Sequence, residues 1–278
     1  MNVTKFQMKL RLLHLFVSLI FLIVGNLAAQ NSGLKDVAAA KYQYDCGGIV
    51  RGDTTQRKLA LIFTGGDFND GGNFIRELLS KKGIHASFFF TGDFYRNPEN
   101  AMLIKQLVAD GQYLGPHSNK HLLYCAWEKR DSLLVTKEQF VQDLLANYQV
   151  MAKFGIKKEN AAFFIPPYEW YNTMINQWTK ELGLVLINFT PGTGSNADYT
   201  TPDMLNYKSS DWIYDHILAY EQSRPAGLNG FLLLIHIGTH PDRTDKFYRR
   251  LPELIEYFKQ KDYSLVRVDE LLTGIAGK

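Results

Sequence analysis

From Lys58 onward the chain alternates short apolar runs with amphipathic segments, and this alternation limits its fold more than any other feature. Leu59-Ala60-Leu61-Ile62-Phe63 is a continuous apolar run, the pattern of a strand buried on both faces. Comparable runs fall at 85–90, 113–115, 161–165, 184–189, 231–235 and 264–268. Helical periodicity is expected over 74–82, 98–110, 136–154, 172–182, 210–222 and 248–261, with Phe74, Leu78 and Leu79 on the inner face of the first. Gly83, Gly111 and Gly183 stand where three of these segments should stop, and Thr136-Lys137-Glu138-Gln139 fits a capping box at the start of another. Strands alternating with helices imply parallel strands joined by crossovers, an α/β fold. No Pro/Gly/Ser linker cuts the series, so 58–278 reads as one domain. Seven units suit a closed or nearly closed β/α barrel, with an open doubly wound sheet as the alternative.

Two segments precede that domain. Lys5, Lys9 and Arg11 form a basic start, Leu12 to Val24 is apolar apart from His14 and Ser18, and Leu27-Ala28-Ala29-Gln30 supplies small residues. Residues 1–29 therefore read as a cleavable signal peptide, too short in their apolar run for a span of about 20 residues. This predicts a secreted or periplasmic protein with no stable membrane insertion after cleavage. Residues 30–57 read as a polar leading arm with little regular structure. The full chain has 31 basic and 28 acidic residues. The leader carries three of the basic ones and no acid, so the remainder is balanced at 28 against 28 and offers no basic face for nucleic acid. Cys46 and Cys125 are the only cysteines, and a lone pair with no framework pattern is expected to stay unpaired.

In parallel β/α folds, ligands bind beyond the carboxyl ends of the strands, and the unusual residues of this chain gather there. His117 and His121, four apart, follow the third strand; on one helical turn they would point the same way and could share a cation. The loop Thr64-Gly65-Gly66-Asp67-Phe68-Asn69-Asp70 follows the first strand and offers Asp67, or in reserve Asp70, as a third ligand. His236 ends the sixth strand, placed as a general acid. His240 and Asp242 lie just beyond and are expected to be exposed. Pro166-Pro167-Tyr168-Glu169-Trp170-Tyr171-Asn172 follows the fourth strand. Its aromatic faces and polar edges suit a sugar ring, which makes Trp170, Tyr171 and Asn172 candidate substrate contacts.

An aspartate-bearing loop, His-Ser-x-x-His, Pro-Tyr and Leu-Ile-His occur in that order between about Lys58 and Leu272. The set resembles the polysaccharide deacetylases, carbohydrate esterase family 4, with the NodB-homology fold. The resemblance implies a distorted (β/α)7 barrel and a divalent metal, most often zinc with cobalt or nickel possible, held by Asp67, His117 and His121. It also implies an acetylated glycan as partner, His236 as general acid, and the Tyr168 backbone amide as a donor to the oxyanion. The chain departs from the family at three places. Thr64 and Gly65 stand where the family has two aspartates, the base and a metal ligand. Ile165 stands where the family has the arginine that pairs with the base. No aspartate near Asn188 matches the one that tunes the late histidine. Glu169 is the candidate replacement base, with Asp70 second. The expected function is a secreted, metal-dependent deacetylase acting on N- or O-linked acetyl groups. A catalytically altered glycan-binding module on the same fold is the alternative, and a hydrolase of another non-peptide C–N bond is a third reading.

Overall fold

A computed structural model describes residues 41–275. The segment read as a signal peptide and the first part of the expected leading arm lie outside the described residues. The described elements run, in order, β1 (Gln43–Asp45), β2 (Gly48–Arg51), β3 (Lys58–Gly65), α1 (Gly72–Lys82), β4 (Ser87–Phe90), α2 (Gly92–Arg96), α3 (Ala101–Ala109), β5 (Tyr113–Pro116), α4 (Lys137–Ala152), β6 (Phe163–Phe164), α5 (Thr173–Glu181), β7 (Val185–Leu186), α6 (Ser210–Ser223), β8 (Phe231–His236), α7 (Leu251–Gln260), β9 (Ser264–Leu265) and α8 (Val268–Leu271).

Strands β5, β4, β3 and β8 form a parallel sheet in that order, and β9 pairs with the start of β3. β6 and β7 form a second parallel pair. The Ile165 amide donates to the Pro116 carbonyl, which joins the two sheets, and the Asn188 amide donates to the Ile49 carbonyl of β2. All seven strands expected from the apolar runs are present, several of them shorter than the runs that announced them.

The leading arm is the main correction to the sequence reading. Far from lacking structure, 43–51 is an antiparallel hairpin whose second strand is wholly buried. Ile49 bridges Ile187 beyond β7, while the Gly52 amide and the Thr190 side chain tie the neighbouring backbone to Gly230 and Val50. β2 therefore lies between β7 and β8, and the compact unit begins at Tyr42. Burial explains the placement, because Ile49 joins an apolar cluster with Ile62, Phe163, Ile187 and Leu234 inside the ring of strands.

The helices pack outside the strands around a second apolar cluster. α1 turns Ile75 and Leu79 inward and leaves Phe74 39% exposed, so its buried face is rotated from the one expected. Gly83 ends it with φ 63°, a left-handed position that costs glycine nothing. The capping box at Thr136 is complete: its hydroxyl accepts from the Gln139 amide and the Gln139 side chain accepts from the Thr136 amide. Cys46 and Cys125 are both free, and burial pushes the Cys125 thiol up to about 11. Among the described residues, no helix is long and apolar enough to cross a membrane.

Candidate active site

The histidine pair is held by a loop rather than by a helical turn. His117 leaves β5 with its amide shared between the Phe90 carbonyl and the Asn147 side chain. Ser118 and His121 both have positive φ, 71° and 54°. One carboxylate fixes this strained turn. Asp143, buried on α4, accepts from the Ser118 hydroxyl at 2.6 Å, from the Asn119 amide at 2.9 Å and from the Lys120 amide at 3.0 Å. The imidazole rings of His117 and His121 then lie 5.0 Å apart. His117 donates from Nδ1 to the Ile165 carbonyl at 2.9 Å, which leaves its Nε2 lone pair free for a cation. Burial holds both imidazoles neutral; repulsion by His236 acts the same way on both, and repulsion by His121 adds to it at His117. His121 is lowered to about 4 and His117 is well below the usual value.

The loop after β3 does not complete the metal site that its aspartates suggested. Asp67 is exposed; its charge reaches His121, but among the described residues no three His, Cys, Asp or Glu side chains are grouped closely enough to hold a metal ion. Asp70 is a structural anchor. It accepts from the Thr239 amide, Tyr248 hydroxyl and Lys246 ammonium, and although burial raises its pKa these bonds outweigh it and lower the net value. It thus joins the β3 loop to the β8 loop, with both carboxylate oxygens engaged by these donors.

The space once held by carboxylates has also been refilled. A Cβ at Gly65 would meet Ile237 Cγ2 at 2.8 Å and Phe90 Cδ1 at 2.9 Å. Thr64 is buried opposite His236 in the β3–β8 register, with its hydroxyl unpartnered. Ile165 is fully buried in the inner apolar cluster. Replacing an aspartate–arginine pair with apolar neighbours avoids leaving either charge buried without its partner.

At the end of β8, His236 meets a partner the sequence reading missed. Asp198, in the 3-10 turn Ser195–Tyr199, accepts from His236 Nδ1 at 2.6 Å and from the His236 amide at 2.9 Å. Burial disfavours the imidazolium, but the Asp198 charge and hydrogen bond and the Glu169 charge outweigh it, so the His236 pKa is raised. Since Nδ1 is committed to Asp198, Nε2 is the free nitrogen. Asp198 escaped notice because it lies ten residues beyond Asn188 in a long polar loop with no periodic signal. Buried Arg243 braces that loop through the Thr200 and Lys208 carbonyls.

The charge of Glu169 reaches the same histidine. Tyr168 and Glu169 carry φ of 57° and 52°, two consecutive left-handed residues that are unfavourable for side chains of this size. Pro166 and Pro167 stiffen the approach, and the Asn188 side chain clamps the Glu169 carbonyl at 2.8 Å. Burial raises the Glu169 pKa to about 7, with His236 opposing and Asp198 adding to the rise. Burial and the neighbouring charges thus push the two groups in a direction that suits acid–base chemistry.

The aromatic segment divides otherwise than expected. Tyr168 is 45% exposed and packs against His121, ring centroids 4.4 Å apart. Tyr171 is fully buried with its hydroxyl donated to the Asp45 carbonyl, and Asn172 is the buried N-cap of α5, so neither can contact substrate. Trp170 has the Arg130 guanidinium over its ring at 4.6 Å and Trp127 stacked at 5.7 Å, which makes it a support. His240 and Asp242 are exposed, as expected.

Residues 51–187 match the polysaccharide deacetylase family. The chain belongs to this family, as a divergent member with altered first and third motifs. It is 23% identical over 221 residues to the peptidoglycan-N-acetylmuramic acid deacetylase PdaA of Bacillus subtilis, covering 80% of this chain and 73% of that protein. Among solved structures, PdaA from Bacillus subtilis, a family 4 carbohydrate esterase, superposes with a TM-score of 0.62 at 21% identity over 81% of this chain and 85% of its own. A CE4 family pseudoenzyme from Bacillus anthracis superposes with a TM-score of 0.64 at 18% identity, over 83% and 70%. At these identities the superpositions establish the fold, a distorted (β/α)7 barrel of the CE4 type.

Proposed function

We propose that this chain is an exported deacetylase that removes N- or O-linked acetyl groups from a glycan, with the lost base replaced by Glu169. The observation that carries the reading is the Asp198–His236 pair at the end of β8, within electrostatic reach of Glu169 and of the two neutral imidazoles. Glu169, ionised above about 7, takes the proton of the attacking water. Asp198 holds His236 with Nε2 towards the cleft, and the imidazolium protonates the departing amine or alcohol. The Tyr168 backbone, fixed by the two prolines and the strained turn, is the donor proposed for the oxyanion. His117 and His121 fit the imidazole half of a divalent metal site, with zinc the first choice and cobalt or nickel as alternatives; when bound, the metal would supply Lewis-acid polarisation of the acetyl carbonyl. Export to the periplasm or medium is proposed from the leader sequence.

A second reading, a glycan-binding module without turnover, is favoured by one observation: the positions of both family aspartates hold Thr64 and Gly65, and a side chain at Gly65 has no room. Acetate release from N-acetylated and O-acetylated oligosaccharides, measured with and without added zinc, separates the two. Turnover supports the deacetylase. Saturable glycan binding with no acetate under any metal condition supports the module and removes the proposed chemistry.

A further inference from the structure

Among the described residues, one large aromatic side chain is exposed on top of a braced stack of rings. Trp127 lies in the loop between β5 and α4 and is 52% exposed. Exposed tryptophans are usually held loosely, but this one is braced. Its ring stacks on Trp170 at 5.7 Å and 30°, and Arg130 lies over Trp170 at 4.6 Å. Arg130 is fixed in turn by an ion pair with Asp45 at 2.7 Å, on the hairpin of the former leading arm. Trp170 is further tied by its indole N–H to the Ala126 carbonyl, immediately before Trp127. The exposed ring is therefore the last layer of a stack anchored in the fold.

The stack also points towards the chemistry. Trp127 meets the Tyr168 ring edge-to-face at 5.7 Å, and Tyr168 packs on His121 at 4.4 Å. An indole held open to solvent, one ring away from the histidine pair, suits an apolar sugar face whose hydroxyl edge stays in water. We propose that Trp127 is the stacking platform of a saccharide subsite, taking the pyranose ring next to the one that carries the acetyl group. This rests on the deacetylase reading, which it deepens by assigning an oligosaccharide rather than a lone acetylated sugar as ligand. It also gives the N-terminal hairpin a task, because Asp45 holds the arginine that supports the platform.

The test uses the tetrasaccharide of β-linked N-acetylglucosamine and a small aryl acetate ester that has no sugar. Trp127→Ala is expected to weaken tetrasaccharide binding, read by calorimetry, by about tenfold, whereas Trp127→Phe keeps most of it. Melting temperature is expected to stay at the wild-type level in both variants. Equal tetrasaccharide affinity in wild type and Trp127→Ala would overturn the platform, as would wild-type protein that does not bind the tetrasaccharide. Trp127-dependent binding by a protein that releases no acetate from either probe would remove the deacetylase reading and leave the platform standing.

Discussion

Replacing Asp198 with asparagine tests the least anticipated part of the site. The carboxylate accepts two hydrogen bonds, from His236 Nδ1 at 2.6 Å and from the His236 amide at 2.9 Å. Asparagine has one acceptor oxygen and one NH2, so one of those N–H groups must face a donor. Losing a hydrogen bond to a charged group costs about 1.5–3 kcal/mol. The cost falls mainly on the imidazolium, which also loses the nearby negative charge. The His236 pKa therefore falls when the carboxylate is replaced. Burial and Arg243, which both lower it, remain in the variant, and only Glu169 still raises it. The sign is therefore fixed: the wild-type midpoint lies above 6.5 and the variant midpoint lies below the wild-type one. Imidazole proton and nitrogen NMR across pH 4 to 10 reads it directly, without assuming any activity. If the reading of the site is correct, turnover falls with it by about 10²–10⁴-fold, the usual contribution of a positioned acid. An unmoved midpoint would refute the claim that Asp198 sets the state of His236.

Three further outcomes follow from the same geometry. Glu169→Gln should raise the melting temperature at pH 8 and leave it unchanged at pH 4. The folded pKa of Glu169 is raised from 4.5 to about 7, so the penalty for ionising it in the fold is absent below the unfolded value and complete above the folded one; on the order of 1–3 kcal/mol is at stake. Asp143→Ala should destabilise the protein by about 2–4 kcal/mol in urea unfolding, because three donors of the histidine loop lose their common acceptor, and zinc affinity measured by calorimetry should fall with it. Gly65→Asp should lower stability by about 1–3 kcal/mol without improving zinc affinity, since its Cβ would press on Ile237 and Phe90; tighter zinc binding by that single variant would show that the carboxylate position is still open.

Much of the scaffold could be read from the sequence because its signals are local and periodic. Apolar runs located the parallel strands, and Gly83 and the Thr136 capping box marked helix ends through backbone geometry that only nearby residues determine. The His pair was legible from its position at a strand end. The hairpin at 43–51 was not, because β2 is four residues long and is stabilised by burial between β7 and β8, a long-range effect. The same limit explains the site. Asp70 and Asp67 looked alike in a glycine-rich loop, yet Asp70 is held by Thr239, Tyr248 and Lys246, contacts made 169 or more residues away in the chain. Asp198 reaches His236 across 38 residues of chain, and no spacing rule predicts that contact. Tyr171 and Trp170 follow Glu169 in the sequence, but one closes the core against Asp45 and the other supports Trp127.

The central claim is that Glu169 has taken over the base left vacant at Thr64. It is tested most directly by acetate release from a fully acetylated oligosaccharide at pH 8, comparing wild type with Glu169→Gln under identical zinc loading. The account predicts acetate from the wild type and a loss of about 10²–10⁴-fold in the variant, in which folding and oligosaccharide binding are preserved. Wild-type turnover that survives in Glu169→Gln would contradict it.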